Sequence, residues 1–224
     1  MRGLRMLLLL SSALLLAAPG RGEGIVQVLE RSQTVRMDAY PPAETGSDRA
    51  AVVRESFARI LGVTSPLRPV QLRVVRGGLN AEAMLGRVIV ASEALADLPE
   101  GERLMVLAHE MGHVELGHWD DMCALYLRHI PGEVRPETTD PDADALGADA
   151  QRQSWRQEFA ADAYGYRAIY RMGFRMDAVY SLMMRSRAQM DTATHPGTRR
   201  RVAQLRQLDL RLQHSTLQAA VDDE

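Results

Sequence analysis

The sequence predicts an α+β fold that is mainly α-helical, with a small β-sheet beside one central helix. Two observations support this. Two short runs rich in β-branched residues, at residues 70–76 and 87–91, predict strands. From residue 99 onward, apolar side chains recur at three- and four-residue steps, which is the period of an α-helix. Both strands therefore precede the mainly helical second half of the chain.

Length and composition bound the class of protein. The chain has 224 residues, of which 46% are hydrophobic and 25% charged, as is ordinary for a globular protein. The net charge of −2 offers no basic surface that would favour nucleic acid as a partner. Cys123 is the single cysteine, so the chain cannot form an internal disulfide. We predict one domain over residues 21–224, with its core at about residues 50–215.

The first twenty residues are typical of a secretory signal peptide. Arg2 and Arg5 give a positive start, residues 6–18 are almost wholly apolar, and Pro19 and Gly20 end the run. The run is shorter than the ~20 residues that a membrane-spanning helix needs. We therefore predict an exported protein, periplasmic or secreted, with a signal peptide at residues 1–20 and no stable membrane span after its cleavage. The alternative is an uncleaved N-terminal anchor.

The first half of the remaining chain alternates between helix and strand patterns. Residues 24–40 alternate weakly and indicate a short strand or an irregular start, and residues 50–61 have helical spacing with Asp48 as a candidate cap. The strand at residues 70–76 ends at two glycines, and residues 80–84 lead to the strand at residues 87–91. A short helix at residues 92–98 precedes the central helix.

The second half is helical apart from one acidic stretch. The central helix begins at Pro99 and is predicted to continue past Trp119 to about His129. Residues 131–149 hold three prolines and many acids, which predicts a mobile acidic loop; a calcium-binding loop is the alternative, but the EF-hand spacing is absent. Helices are predicted at residues 151–172 and 176–190, and a last one follows the turn at residues 194–197.

The central helix carries the pattern HExxH, as His109, Glu110 and His113. Residues four apart lie on one face of a helix, so the two imidazoles can bind one metal ion. Glu110 lies about 100° around the helix and can border the same site as a base. This pattern is typical of a Zn²⁺ site that activates water. A chance HExxH on an ordinary helix is the alternative.

A catalytic zinc usually has three protein ligands and one open position. The candidates for the third are His118, Glu158, His195 and several acids. The metzincin spacing is excluded, because Leu116 and Trp119 occupy the positions where that pattern needs glycine and histidine.

Glu158 fits best as the third ligand. Asp162 follows it by one helical turn and can accept the outer N–H of a ligand histidine. Ala160 and Ala161 are small enough to let this helix approach the first one closely. The alternative is that Glu158 is an ordinary solvated carboxylate of a helix surface.

Taken together, HEMGH, His118 five residues later, EFAAD and THPGTRRRVAQL resemble a known family in content and order. The family is the gluzincin peptidases that include HtpX-like proteases, CAAX prenyl proteases and the Oma-type and BepA-type quality-control proteases. Asn80-Ala81 and the strand that follows also match its approach to the HExxH helix. The resemblance covers roughly residues 80–205. It implies a zincin-like metallopeptidase fold.

The resemblance also implies a role for each motif residue. His109, His113 and Glu158 bind one Zn²⁺ per chain, Glu110 is the general base, and Asp162 supports a ligand histidine. His195 and Arg201 match the family pattern and are expected to face the active site, stabilising an oxyanion or gating the metal. His118 is not expected to be a ligand, since on a continuous helix it points away from the face of His113.

Two departures from the family pattern stand out. Position 82 is Glu, where the family often has an aromatic residue, and the chain lacks the family's transmembrane helices. The first departure concerns the shape of the substrate groove, and the second predicts a soluble, minimal peptidase. Together with the signal-peptide pattern, the resemblance implies a zinc endopeptidase that acts on extended or unfolded polypeptides in envelope or secreted protein quality control. Substrate is expected to pair with the strand at residues 87–91.

Two alternatives remain. One is a protease-like chaperone or adaptor, and the other is a latent peptidase whose metal site is blocked by His195 or by the acidic loop.

Overall fold

A computed structural model describes residues 22–78, 81–185 and 190–222. The predicted signal peptide and Asn80 lie outside these residues. Within them the elements are α1 (Ile25–Ala39), α2 (Asp48–Thr64), β1 (Gln71–Val75), β2 (Ala81–Met84), β3 (Val88–Ser92), α3 (Glu100–Glu115), α4 (His118–His129), α5 (Pro136–Thr139), α6 (Ala143–Arg171), α7 (Met176–Arg185) and α8 (Thr198–Asp222). Short 3-10 turns at Glu93–Asp97 and Asp140–Asp142 precede α3 and α6. The predicted fold class, mainly α with a small sheet, is confirmed.

The three strands form one sheet in the order β1-β3-β2, with β1 parallel and β2 antiparallel to β3. Successive side chains point to opposite faces, so Ile89 and Ala91 join the core that contains α3, whereas Val88 and Val90 pack with Met84 on the other face. The prediction that substrate pairs with the strand at residues 87–91 is wrong, because β3 is the central strand and is paired on both sides. The edge strands are β1 and β2. Glu110 contacts β2, which the sequence pattern indicated only as a connection leading to β3.

Helices α3 and α6 cross at a contact between small residues. A Cβ on Gly165 would lie 2.9 Å from the backbone nitrogen of His109, and one on Gly112 would lie 3.0 Å from the Cα of Ala161. Backbones can approach this closely only where side chains are absent or minimal. Ala161 is fully buried at this crossing. The predicted close approach is therefore made by Ala161 together with two glycines that the sequence prediction did not include.

The N-terminal segment differs from its prediction. Residues 25–39 form helix α1 rather than a strand or an irregular start, and Gly24 donates its N–H to the Gln27 side chain at the helix start. A short apolar run of β-branched residues is compatible with both a helix and a strand, and its tertiary contacts decide which of the two forms. Helix α2 is capped by Ser47, whose hydroxyl accepts from the N–H of Ala50, and not by Asp48.

The central helix also ends earlier than predicted. It stops at Glu115, and Gly117 adopts a left-handed conformation (φ 69°) before the chain turns into α4. A glycine at this position is a common helix terminator because the left-handed region is open to it without steric cost. The chain after Gly117 therefore runs in a new direction, and this changes where His118 lies.

The acidic stretch at residues 131–149 is largely structured, contrary to the predicted loop. It contains α5, a 3-10 turn and the first residues of α6, which begins at Ala143. His129 contacts the carboxylates of both Asp142 and Asp149, the latter at 3.1 Å. These contacts tie the stretch to the end of α4, so acidic composition alone was a poor guide to its order. Among the described helices, none combines the length and the apolar character that a membrane crossing requires.

We predict that Gly165→Ala lowers the free energy of unfolding by about 1–3 kcal/mol, because the added methyl group overpacks the contact with α3. The measurement is urea unfolding followed by circular dichroism. Gly147→Ala is the matched control on the same helix, since no described atom lies within 4 Å of the Cβ it adds. That control should stabilise the protein by up to about 1 kcal/mol. Equal stability of the two variants would contradict the close crossing.

Candidate active site

Three side chains, from two helices that are far apart in sequence, converge at the α3/α6 crossing. His109 Nε2 lies 3.6 Å from one carboxylate oxygen of Glu158, and His113 Nε2 lies 3.3 Å from the other. The two imidazole Nε2 atoms are 3.1 Å apart. One ligand atom from each residue falls within 4.8 Å of the others, which makes this set a group that could hold a metal ion.

The chemistry of this group fits a cation. Oε2 of Glu158 is buried and has no hydrogen-bond partner among the described residues. Its nearest nitrogens belong to His109 at 3.6 Å and Arg201 at 3.8 Å. A buried carboxylate oxygen without a partner is costly, and a metal ion removes that cost. Two imidazoles and one carboxylate are a ligand set found in catalytic zinc sites.

Asp162 lies where it can orient His109. Its Oδ1 is 3.0 Å from Nδ1 of His109, and a proton on Nδ1 leaves the lone pair of Nε2 facing Glu158. Arg201 donates two hydrogen bonds to the same carboxylate, at 2.7 and 2.6 Å. Burial opposes the charge of Asp162, but the hydrogen bonds from Arg201 and His109 outweigh it and lower the pKa of Asp162 to about 2.

His113 has an outer partner that the sequence prediction did not include. Nδ1 of His118 lies 2.8 Å from Nδ1 of His113, on the side of the ring away from Glu158. The prediction that His118 points away assumed a continuous helix, and it is wrong because the turn at Gly117 brings the ring back. Burial, with help from His113 and His109, lowers the pKa of His118 to about 4. A neutral His118 can accept a hydrogen bond from the Nδ1–H of His113, and this tautomer leaves Nε2 of His113 free for a metal.

Glu110 borders the site without joining the three-residue group. Its carboxylate accepts a hydrogen bond from the backbone N–H of Ala83, on the edge strand β2, at 2.7 Å. Burial raises the pKa of Glu110 to about 7, against the opposing influence of His109. The positive charge of a bound metal would lower that pKa again. The carboxylate thus lies between the helix that carries the histidines and the strand at the edge of the sheet.

Burial opposes ionisation of Glu158 as well. The hydrogen bond from His113 and the charges of the neighbouring imidazoles outweigh it and lower the pKa of Glu158 to about 2. One of those imidazoles is His195, whose Nε2 lies 3.5 Å from Oε1 of Glu158 and whose side chain is 51% exposed. His195 therefore lies on the solvent-exposed side of the site.

The loop that carries His195 is held by local hydrogen bonds. Asp191 accepts from the N–H of Gly197 at 2.7 Å, and Thr194 lies 2.8 Å from Nδ1 of His195. Arg201 belongs to the helix that follows, and its guanidinium is directed at Asp162. The predicted site residues His195 and Arg201 thus both lie beside Glu158, the first exposed and the second largely enclosed.

Comparison with known proteins identifies the class. The profile of peptidase family M48 matches residues 48–131 and 143–209, which is most of the chain. The chain therefore belongs to peptidase family M48, and membership supports a metallopeptidase function.

A solved structure shows the same fold. The crystal structure of S. mikatae Ste24p aligns with a TM-score of 0.53 at 19% sequence identity, and the alignment covers 80% of this chain and 56% of Ste24p. The chain thus spans little more than half the length of that protein. The likeness supports the zincin-like fold and nothing finer. A search of curated proteins finds no match.

We predict that His113→Ala and Glu158→Ala each abolish stoichiometric metal binding, because each removes one of the three ligands that converge at the site. Elemental analysis of the purified proteins measures this. His129→Ala is the control, since that histidine contacts Asp142 and Asp149 instead. If Glu158→Ala still binds about one zinc ion per chain with unchanged affinity, Glu158 is not a ligand.

Proposed function

We propose that this protein is a zinc-dependent endopeptidase in which His109, His113 and Glu158 hold the metal. The observation that carries the proposal is the approach of Glu158, from α6, to the two imidazoles of α3, with one of its buried oxygens left without a hydrogen-bond partner among the described residues. A bound zinc ion supplies Lewis-acid polarisation of the scissile carbonyl and makes water more acidic. Family membership supports the hydrolytic class of reaction.

Glu110 is the proton carrier in this proposal. Its carboxylate takes a proton from the attacking water and delivers it to the leaving amine. A group that both accepts and donates a proton works best when its pKa lies near the working pH. The hydrogen bond from Ala83 holds the side chain between the histidines and the edge strand. Asp162 and Arg201 act as positioning residues: Asp162 fixes the ring of His109, and Arg201 fixes Asp162.

We infer that substrate binds along the edge strand β2. It lies at the border of the sheet, and the N–H of Ala83 points toward Glu110 rather than toward β3. An extended polypeptide can add to such an edge through backbone hydrogen bonds. This arrangement supports a polypeptide substrate in extended, and therefore locally unfolded, form.

We infer further that the enzyme works outside the cytoplasm, in the quality control of envelope or secreted proteins. The support is the signal-peptide pattern of residues 1–20 and the resemblance to quality-control proteases. Determining the cell fraction and the N-terminus of the recovered protein tests this inference. An exported enzyme is recovered outside the cytoplasm, without those residues after cleavage or with them as a membrane-associated anchor, whereas recovery in the cytoplasmic fraction with those residues intact would contradict the inference.

Replacing Glu110 with Gln should lower kcat at least about 10²-fold while zinc stays bound, because the amide cannot take a proton from water. Cleavage of an unfolded protein, followed by mass spectrometry, gives the rate, and elemental analysis gives the zinc content. Glu115→Gln is the matched control on the same helix; its carboxylate accepts from the N–H groups of Leu67 and Arg68. Cleavage by the Glu110→Gln variant at the control's rate removes this mechanism.

His195 is expected to assist the reaction from the open side of the site. We predict that His195→Ala lowers kcat about 10²-fold with zinc retained, as the loss of a group that stabilises a developing oxyanion does. His214→Ala, an exposed histidine further along α8, should leave the rate unchanged. A gain of activity in His195→Ala would instead identify a latent peptidase, an alternative that the 3.5 Å approach of His195 to Glu158 favours.

A further inference from the structure

A cavity of about 230 Å³ opens beside His113. On one side it is bounded by His113 and by Ala83 of the edge strand. Apolar parts of the remaining wall come from Leu29, Trp119, Met122 and Tyr126, next to Gly86, and its polar groups are the side chains of Gln33, His118 and Gln157. The cavity therefore joins one proposed metal ligand to the strand on which substrate is inferred to lie.

Part of this wall comes from outside the family domain. Leu29 and Gln33 belong to α1, whereas the family match begins at residue 48. The rest of the wall lies inside the match, mostly on α4, with single residues from α3 and α6 and two from β2 and the turn after it. Helix α1 packs against α4, and its Leu29 and Gln33 border the cavity. The shape of the cavity thus depends in part on a segment that the family match does not include.

Specific polar contacts fix α1 to the edge strand. Gln33 accepts a hydrogen bond from the N–H of Leu85 at 2.6 Å, immediately after β2. Glu82, on β2 itself, forms an ion pair with Arg36 and accepts a hydrogen bond from Tyr40 at 2.7 Å. Each of these contacts joins α1, or the residue that follows it, to the strand beside Glu110.

Glu82 is the centre of these contacts. Its carboxylate is directed at both Arg36 and Tyr40, and an uncharged side chain could not form this ion pair. Glu82 and α1 therefore belong to one feature, which holds α1 beside the cavity.

We propose that α1 completes a substrate pocket for one apolar side chain, of the size of leucine or phenylalanine, on a residue that flanks the scissile bond. The proposal rests on the peptidase function proposed above. The volume lies below the ~300–1,000 Å³ of pockets that enclose whole small molecules, so it suits a single side chain. A peptide paired with β2 would pass Ala83 and His113, and both border the pocket.

The test compares Leu29→Trp, which fills the pocket, with Leu29→Ala, which enlarges it. Val35→Trp is the matched control, because Val35 lies on the same helix and is 65% exposed. Cleavage sites of the zinc-loaded wild type are mapped first in an unfolded protein. Peptides around one site then vary a single flanking residue, on each side in turn, among Ala, Leu, Phe and Trp. Circular dichroism verifies that each variant is folded.

We expect the wild type to prefer Leu or Phe over Ala at one flanking position by at least about tenfold in kcat/KM. Leu29→Trp should lose this preference, because filling a pocket penalises the side chains that would enter it. Leu29→Ala should shift the preference toward Trp, and Val35→Trp should match the wild type.

Unchanged preferences in both active Leu29 variants would overturn the pocket while leaving the peptidase proposal intact. If Leu29→Trp does not fold, Leu29→Ala is sufficient for the test. An unchanged side-chain preference in Leu29→Ala would overturn the pocket proposal. Absence of cleavage by the zinc-loaded wild type would overturn the peptidase proposal, and the pocket with it.

Discussion

The close crossing of α3 and α6 is the constraint on which the rest of the structure depends. Residues 109 and 158 are far apart in sequence, and only the direct contact of two helix backbones brings their side chains within 4 Å. Gly165 lies against the backbone of His109, one turn beyond Asp162 and two beyond Glu158. A wider crossing would separate the carboxylates from both imidazoles. The small residues on α6 therefore determine the geometry of the site as much as the ligands themselves.

The crossing also encloses several acidic side chains, whose charge must be compensated. Glu110, Glu158 and Asp162 are enclosed there with Arg201 as a basic partner. Glu158 and Asp162 are ionised, whereas burial raises the pKa of Glu110 to about 7, so with neutral imidazoles the site carries an excess of negative charge that reaches −2 when Glu110 also ionises. Burying uncompensated charge is costly. A divalent cation between the imidazoles and Glu158 would balance that charge. Under the proposed function, binding of the metal would therefore stabilise the fold.

The sequence was most informative where function restricts the choice of residue. The helix bearing His109 and His113, and a second helix bearing Glu158 and Asp162, could be predicted because metal ligation needs particular side chains at helical spacing. The family pattern supplied their pairing. It also pointed to His195 and Arg201, although the two hydrogen bonds from Arg201 to Asp162 could be seen only in three dimensions.

Prediction was poor where a single backbone conformation or a tertiary contact decides the outcome. The left-handed Gly117 reverses the chain and places His118 against His113, and helical geometry extended past that glycine gave the wrong direction. Attention to a glycine directly after the apolar helix face would have indicated the break. Residues 25–39 are helical because of their packing against β2 and α4. The local periodicity of the sequence does not reveal such tertiary contacts.

The central claim is that one cation is enclosed by two imidazoles of α3 and one carboxylate of α6. Anomalous diffraction from zinc-loaded crystals, recorded on both sides of the zinc absorption edge, tests it most directly. The account predicts a single strong peak within about 2.0–2.2 Å of His109 Nε2, His113 Nε2 and a Glu158 oxygen. A peak elsewhere, for example between His129 and the two aspartates that it contacts, with none at the α3/α6 crossing, would contradict it.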